Sequence, residues 1–206
     1  MILLSTAYLA PVEYYVQLYH HPAVIEQYDH YGKQSYRNRC VIAATNGLQT
    51  LSIPVEKPDS PKCFTRDIRI AEHGEWRHLH WNAIVSAYRS SPFFEYYEDD
   101  FRPFYEKKYE FLFDFNEQLR ELTCRLLHIT PIITYSTEYQ KDIPDNVMDL
   151  REAIHPKKPS YLKSFIPYYQ VFEQKFGFQA NLSIIDLLFN MGNESQLIIH
   201  KCSCPI

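Results

Sequence analysis

The residues with the greatest potential for chemistry lie in one short segment, KQSYRNRC, at positions 33–40. Lys33, Arg37 and Arg39 carry positive charge, and Tyr36 adds an aromatic ring and a hydroxyl group. Planar guanidinium groups bind phosphate or carboxylate oxygens through paired hydrogen bonds, and an ammonium group adds a point charge. The segment therefore suggests a binding site for an anionic ligand.

The orientation of the two arginines follows from a predicted β-hairpin. Asn46-Gly47 is a strong two-residue turn signal between the segments 40–45 and 48–55. With this turn Thr45 pairs with Leu48, which fixes the register of the two strands. The register turns one face of the hairpin toward the core and the other toward a polar environment.

Two interpretations of the polar face remain open. Because side chains alternate along a strand, Arg37 and Arg39 project together about 7 Å apart, whereas Cys40 points into the core as a structural thiol. Arg37 then lies opposite Glu56, and the simpler interpretation is an exposed ion pair worth less than about 1 kcal/mol. The alternative is a clamp in which both arginines hold a phosphate or carboxylate.

A second group of candidates lies on a predicted helix over residues 74–90. His80 shares a face with Trp76, so we expect it to be partly buried, either as a satisfied core histidine or as a general base. His78 points about 200° away from His80 on a helix, so the two do not share a metal ion. Tyr88 is a candidate for stacking on a ligand or for hydrogen bonding to it.

Asp186 completes the set of candidates. It lies on a predicted apolar helix that begins near Leu182 and ends at Gly192. A carboxylate in this position either orients a basic group of the site or pairs locally. No full set of metal ligands accompanies these residues, so no metal is predicted.

The composition narrows the possible partners. The chain of 206 residues has 25 acidic and 21 basic residues, a net charge of −4, and no basic stripe, so nucleic acid is not expected as a partner. It has only 5 glycines and neither of the common glycine-rich phosphate motifs. The expected partner is a small anionic molecule resembling a sugar nucleotide. The cofactor and the oligomeric state stay unknown at this point.

The cysteines and the first residues bear on location. Five cysteines form an odd, scattered set, which favours a reducing cytosol over a disulfide framework. The apolar first ten residues lack a cationic n-region and meet Pro11 too early for a signal peptide. No run approaches the roughly 18 apolar residues of a membrane span. We therefore expect a cytoplasmic protein.

Local patterns predict a mixed α/β fold, with α+β as the alternative, in one domain over residues 1–206. The first elements are a buried strand over 2–8, a helix from Pro11 and a strand over 23–25. The later predictions are a short strand over 66–70, helices over 92–103 and 109–129, a strand over 132–135, a short helix near 146–153 and a helix over 194–200.

Four segments resemble, in order, motifs of the WbqC-like family of bacterial proteins. They are Ser5-Thr6-Ala7-Tyr8-Leu9-Ala10-Pro11, Asp29-x-Tyr31-x-Lys33-x-Ser35-Tyr36-Arg37-Asn38-Arg39, Trp76-Arg77-His78-x-His80-x-x-Ala83-Ile84 and Leu182-Ser183-Ile184-Ile185-Asp186-Leu187-Leu188-Phe189-Asn190-x-Gly192. The resemblance implies a bacterial cytoplasmic protein linked with O-antigen or other surface-polysaccharide biosynthesis. It implies no agreed catalytic residue.

Together these observations favour an enzyme that acts on an anionic nucleotide-linked sugar or a related activated small molecule, with acyl or aminoacyl transfer as the candidate reaction. The assigned residues are Lys33, Tyr36, Arg37, Arg39, Tyr88 and Asp186 for substrate binding and His80 for general-base catalysis. The alternative is a non-catalytic binding or scaffold protein of a glycan pathway. In that case the 17 tyrosines would form an exposed interaction surface.

Overall fold

The structure is a computed structural model that describes residues 1–58, 60 and 62–202. Within this part the fold is mixed α/β, as predicted, with a four-stranded parallel sheet and a separate two-stranded hairpin. No helix in the described part combines the length and the apolar character needed to cross a membrane. Cys204 of the C-terminal Cys-x-Cys segment lies outside the described residues.

The first three elements form a parallel β-α-β unit. Strand β1 (Ile2–Ser5) leads into helix α1 (Val12–His20), and strand β2 (Ala23–Glu26) returns parallel to β1. Pro11 precedes the first turn of α1, where its missing N–H costs no helical hydrogen bond. The predicted strand, helix and strand are confirmed, although β1 is shorter than predicted.

Two further strands complete the parallel sheet. Strand β5 (Ile133–Tyr135) pairs with β2, strand β6 (Met148–Asp149) pairs with β1, and the order is β5-β2-β1-β6. The predicted helix near 146–153 is wrong. The free side of β1 offers the carbonyl oxygens of Met1 and Leu3 to the amides of Met148 and Leu150, and this distant pairing outweighs local propensity.

The hairpin forms with a different turn from the predicted one. Strands β3 (Arg39–Ala44) and β4 (Gly47–Ser52) pair with Ala44 opposite Gly47, so the register is shifted by two residues. Of the residues in this turn, only Gly47 has a positive φ, of 109°. This is typical of a type I turn followed by a glycine bulge rather than of an Asn-Gly loop. Because the shift is even, Cys40 still points into the core, as predicted.

The helices surround the sheet and the hairpin. They are α2 (Trp76–Tyr88), α3 (Phe94–Glu106), α4 (Leu112–Leu126), α5 (Glu173–Phe176), α6 (Ile184–Met191) and α7 (Ser195–Lys201), with single 3-10 turns at Thr65–Asp67 and Gly192–Glu194. Gly192 ends α6 at a φ of 54°, as predicted. The fully buried Phe189 on α6 packs edge-on against rings from α2 and α3.

Two local predictions are wrong for identifiable reasons. Helix α3 continues through Pro103, because the carbonyl that loses its donor belongs to Asp99, an exposed residue that water reaches. Of the predicted strand over 66–70, Arg69 and Ile70 do form antiparallel bridges, with Phe111 and Val55, but residues 66 and 67 belong to the 3-10 turn Thr65–Asp67. There the backbone amide and the hydroxyl of Thr65 both bond to Asp29, which turns the chain away from an extended course.

Candidate functional site

The four parallel strands end at one edge of the sheet, where polar side chains follow each of them. Ser5-Thr6 ends β1, Glu26 ends β2, Tyr135-Ser136 ends β5 and Asp149 ends β6. The chain leaves β1 toward β2 and later returns to the other side of β1 as β6, so the strand order reverses between β1 and β6. Open α/β sheets bind ligands at the carboxyl ends of strands beside such a reversal. We call these strand ends, with the loops 27–37, 62–66, 136–140 and 150–158, the carboxyl edge.

Arg37 lies at this reversal and is nearly fully buried, with 3% of its surface exposed. Its Nη2 donates to the Asp29 carboxylate, to Ser5 Oγ at 2.8 Å and to Glu152 Oε1 at 3.1 Å. Burial opposes the charge on Arg37, but the two carboxylates outweigh it and raise the pKa of the guanidinium. Its buried Nε has no hydrogen-bond partner within the described part of the chain. Arg37 thus joins the loops after β1, β2 and β6 and keeps one donor unused.

Asp29 is the buried carboxylate that positions Arg37. It is 5% exposed and accepts hydrogen bonds from Thr65 Oγ1 at 2.5 Å and from Ser5 Oγ at 3.3 Å. Its backbone oxygen accepts the Thr65 amide at 2.9 Å. Two hydroxyls and one guanidinium therefore compensate its charge, and the three groups are held in one arrangement.

Glu26 organises the neighbouring loops from the end of β2. Its fully buried carboxylate accepts the amides of Tyr28 at 2.9 Å and Gln140 at 3.1 Å, and the Ser136 hydroxyl at 2.6 Å. Arg151 Nη1 lies 3.4 Å from the same carboxylate and donates to the Gln140 carbonyl at 3.0 Å. The loops after β2, β5 and β6 are thereby fixed by a single side chain.

A third buried pair, Glu117 and Arg120 on α4, extends the edge toward β5. Glu117 accepts from Thr6 Oγ1 and from Arg120 Nε, each at 2.8 Å, and the Tyr135 hydroxyl lies 3.1 Å from both Glu117 and Arg120. A cavity of about 660 Å³ opens beside Arg120 and Tyr135 and continues along β5 to the exposed His128.

The cavity of about 660 Å³ and the buried charges around Arg37 do not coincide. The cleft at Arg37 measures about 10 Å³, which is room for about one water molecule. The large cavity reaches the carboxyl edge only through Arg120 and Tyr135, and much of its lining is exposed surface. We place the candidate site at Arg37, because a buried donor without a partner among the described residues lies there at the strand-order reversal.

Exposed cations surround the Arg37 cleft. Lys158 Nζ donates to the backbone oxygen of Glu152 at 2.7 Å, and Lys157 Nζ donates to Gln34 Oε1 at 2.5 Å. Burial lowers the pKa of the nearby His155, Glu152 raises it, and the charges of both lysines lower it further. The rim of the cleft is therefore locally positive in a chain whose net charge is negative.

The predicted candidates from the first segment stay together, but in a different arrangement. Strand β3 begins at Arg39, so Arg37 lies in a turn before the strand, and its ion-pair partners are Asp29 and Glu152. The expected pairing of Arg37 with Glu56 is therefore wrong, because a hairpin face does not extend that far.

The other members of the segment differ in exposure. Lys33 is exposed, and Tyr36 is half-buried with a pKa that burial raises to about 12. Arg39 is half-buried and forms no ion pair with the described residues. Burial raises the pKa of Tyr31 to about 12, and the positive charges of Arg37 and Arg39 both oppose this rise.

His80 belongs to a separate buried network. Its Nδ1 lies 3.0 Å from the Tyr8 hydroxyl, which lies 2.8 Å from the Tyr105 hydroxyl, and its ring packs edge-on against Trp76. Burial lowers the pKa of His80 to about 4, and a hydrogen bond to the Ser52 backbone opposes this only in part. Both ring nitrogens are thus engaged, which favours the core-histidine interpretation over the general base.

Tyr88 and Asp186 are brought together, and they bond to each other in a buried network of their own. Asp186 accepts from Tyr88 at 3.0 Å and from Tyr168 and Gln170, each at 2.8 Å. Burial raises the pKa of Asp186 to about 6, although these three hydrogen bonds lower it. Among the described residues, Asp186 therefore pairs with neutral donors from distant segments of the chain and not with a basic group.

The comparison with known families covers most of the carboxyl edge. The model of the WbqC-like protein family matches residues 7–164, more than half of the chain. The chain belongs to the WbqC-like family. The WbqC-like match includes Asp29, Arg37, His80 and Glu152, whereas Asp186 lies beyond it.

A relative of this WbqC-like chain occurs in Mycobacterium tuberculosis (strain ATCC 25618 / H37Rv). It is described as "Uncharacterized protein Rv1507c" and is 25% identical over 198 residues, which cover 84% of this chain and 84% of the relative. No solved structure matches the chain. The comparisons therefore show the family, and the reaction has to be inferred from the site.

Several residues of the WbqC-like edge were not among the sequence candidates. Glu26 had a usable signal, because it directly follows the predicted strand over 23–25, whereas Ser5 lay inside the predicted strand over 2–8. Asp29 opens the motif that contains Arg37. Glu152 had no such signal, because its segment resembled a helix.

The buried networks of His80 and Asp186 predict opposite pH dependences of stability. A histidine with a pKa of about 4 in the folded state contributes stability that is present above pH 6.5 and is lost on acidification toward pH 4. An aspartate with a pKa of about 6 in the folded state contributes stability that is present when the pH is below the ordinary aspartate pKa. This stability is lost as the pH rises to 6. Each effect amounts to about 3 kcal/mol, so the two nearly cancel.

The single variants should uncover this compensation. We expect the unfolding free energy of His80→Gln to fall from pH 4 to pH 6, and that of Asp186→Asn to rise over the same interval. Urea unfolding at several pH values measures both slopes. Equal slopes in the two variants would contradict the assignment.

Proposed function

We propose that this WbqC-like protein binds a phosphate-bearing activated small molecule, of the nucleotide-linked sugar class, at the carboxyl edge. The proposed role is a transferase step, acyl or aminoacyl transfer, in bacterial surface-polysaccharide biosynthesis in the cytoplasm. The observation that carries the proposal is the buried Arg37 at the strand-order reversal, with an Nε donor that no described residue uses. A buried donor of this kind costs free energy until a ligand or water satisfies it.

The two carboxylates on Arg37 differ in a way that supports ligand exchange. The Asp29 side chain is 8% exposed and compensates the buried charge, whereas the Glu152 side chain is 64% exposed. Exposed carboxylates gain little from an ion pair because water solvates them well. A ligand phosphate that replaces Glu152 keeps a charge-assisted hydrogen bond to Arg37 and leaves Glu152 in solvent.

The cations on the rim support a ligand with more than one phosphate. Lys157 and Lys158 are exposed and bonded to loop residues beside Arg37 and Glu152. Lys33 lies next to Gln34, the partner of Lys157, and is also exposed. In the proposal Arg37 holds one phosphate, and the three lysines attract and hold the next.

The proposal retains four of the sequence candidates. Lys33 and Arg37 contact the anion, Tyr36 lines the cleft beside Arg37, and Arg39 adds positive charge from the start of β3. It does not use His80, Tyr88 or Asp186, because their polar atoms are engaged in their own buried networks.

Calorimetric titration with UDP-N-acetylglucosamine and with inorganic pyrophosphate tests the proposal. We expect both to bind, and a Lys157→Gln/Lys158→Gln double variant to bind each at least about tenfold more weakly, because two charge-assisted contacts are lost. Lys107→Gln, at an exposed lysine after α3, is the matched control and should bind as the unchanged protein does. Absence of binding to both ligands, or equal binding by the double variant, would overturn the proposal.

The scaffold alternative finds less support in the distribution of tyrosines. Only four of the 17 are exposed, at Tyr96, Tyr135, Tyr139 and Tyr169. They lie on α3, on β5 and in two separate loops, so they do not form the continuous tyrosine surface that a scaffold of this kind would use.

A further inference from the structure

Three aromatic rings stack on one another at the carboxyl edge, outside the core. The His30 ring is nearly parallel to the Phe64 ring, at 5.9 Å and 11°, and to the Tyr139 ring, at 6.3 Å and 18°. The Tyr28 ring meets Phe64 edge-on at 5.7 Å. We call Tyr28, His30, Phe64 and Tyr139 the aromatic face.

The aromatic face is exposed although its rings are large. Phe64 is 38% exposed, Tyr139 is 49% exposed, and His30 is also exposed. Apolar ring surface that remains in water gains nothing from folding, so burial gives no reason for the exposed part of this arrangement.

Hydrogen bonds of the backbone hold the rings in place. His30 and Phe64 oppose each other in an antiparallel bridge, which the Thr65 amide strengthens by donating to the Asp29 carbonyl at 2.9 Å. Glu26 fixes the loops on either side through the amides of Tyr28 and Gln140. The aromatic face is therefore positioned before any ligand arrives, which reduces the entropic cost of binding.

Cationic side chains flank the face at both ends. The Arg66 guanidinium lies 5.1 Å from the centre of the Tyr28 ring and is 43% exposed. The Arg151 guanidinium lies 5.4 Å from the centre of the Tyr139 ring, in the loop that also carries Glu152. Flat rings beside guanidinium groups suit a ligand that joins an aromatic base to phosphates.

We propose that the aromatic face binds the base of a nucleoside diphosphate whose phosphates lie at Arg37 and the lysine rim. This inference rests on the proposed function and adds the part of the ligand that function leaves unassigned. The base stacks on the exposed rings of Tyr139 and Phe64, beside His30. Stacking on ring faces tolerates any base, so the aromatic face selects nucleotides over simple diphosphates rather than one base over another.

The test compares ligands with and without a base. UDP and ADP should bind the unchanged protein at least about tenfold more tightly than inorganic pyrophosphate. A Phe64→Leu/Tyr139→Leu double variant should lose this margin while its affinity for pyrophosphate stays the same. Tyr169→Leu, at a tyrosine that is 52% exposed outside the carboxyl edge, is the matched control and should keep the margin.

The possible results separate the two proposals. If pyrophosphate binds but UDP and ADP bind no more tightly, or if the double variant keeps the margin, the aromatic face is not a base site and the proposed anion site stands. If neither pyrophosphate nor either nucleotide binds, both proposals are overturned. If the margin is lost in the Phe64→Leu/Tyr139→Leu variant but kept in Tyr169→Leu, the result supports both proposals.

Discussion

Replacing Asp29 with asparagine is expected to destabilise the fold by about 3 to 5 kcal/mol, the cost of breaking a buried ion pair from one side. The Arg37 guanidinium, 3% exposed, would keep only Glu152 as a charged partner among the described residues, and the Glu152 side chain is 64% exposed. Arg37→Met should cost a similar amount, because Asp29 would retain only the neutral donors Ser5 and Thr65. Denaturant unfolding measures both losses.

The double variant sharpens this expectation. Removing Asp29 and Arg37 together leaves no unpaired buried charge, so its cost should be smaller than the sum of the two single costs. Arg69→Met is the matched control, because Arg69 pairs with Glu110 on the surface, where the two side chains are 52% and 59% exposed. That change should cost less than about 1 kcal/mol. If Asp29→Asn cost no more than the control, Asp29 and Arg37 would not form a buried charge pair.

The second large effect is expected at Glu26. Glu26→Ala leaves two backbone amides and the Ser136 hydroxyl without this acceptor and removes one of the two carboxylates on Arg151, and it should cost about 3 kcal/mol or more. The loops that carry Tyr28 and Gln140 lose their common anchor, so amide hydrogen exchange at these two residues should accelerate.

A neighbouring carboxylate provides the comparison for Glu26. Asp149→Ala removes the other acid on Arg151, but the Asp149 side chain is 38% exposed and Arg151 keeps Glu26 and the Gln140 carbonyl as acceptors. We expect a cost below about 1 kcal/mol and unchanged exchange at Tyr28. Unchanged exchange in Glu26→Ala would contradict the anchoring role.

The sequence predicts elements well where a short segment decides its own structure. The strand from Ile2, the helix after Pro11 and the strand from Ala23 each have a local signal, namely an apolar run, a helical stripe or a terminating proline. Helix α6 likewise has an apolar pattern and Gly192 at its end. Prediction fails at β6, a strand of two residues whose only reason to be extended is the distant β1.

The candidate site was predicted in part for the same reason. Its loop was found from composition, because Lys33, Tyr36 and Arg37 are neighbours in the chain. The burial of Arg37 was missed, because its partners Asp29 and Glu152 come from loops whose meeting depends on the whole sheet. The reverse holds for His80. A helical pattern predicts that His80 is buried, but it does not predict that the Tyr8 hydroxyl bonds to the ring.

The short pairing of β6 also determines how the edge opens and closes. Closing the chain between Leu3 and Asp149 restricts a long loop, and within the described sheet only two residue pairs and the Leu150 amide hold β6. In the order of folding, β6 should therefore join the sheet after β1 and β2, and in the native state it should be the first strand to detach. Detachment of β6 moves the loop of Arg151 and Glu152 away from Arg37 without disturbing the buried pair with Asp29. A cleft with room for about one water in its closed form would thereby admit something larger, at the cost of the contacts of Arg151 with Glu26 and of Glu152 with Arg37.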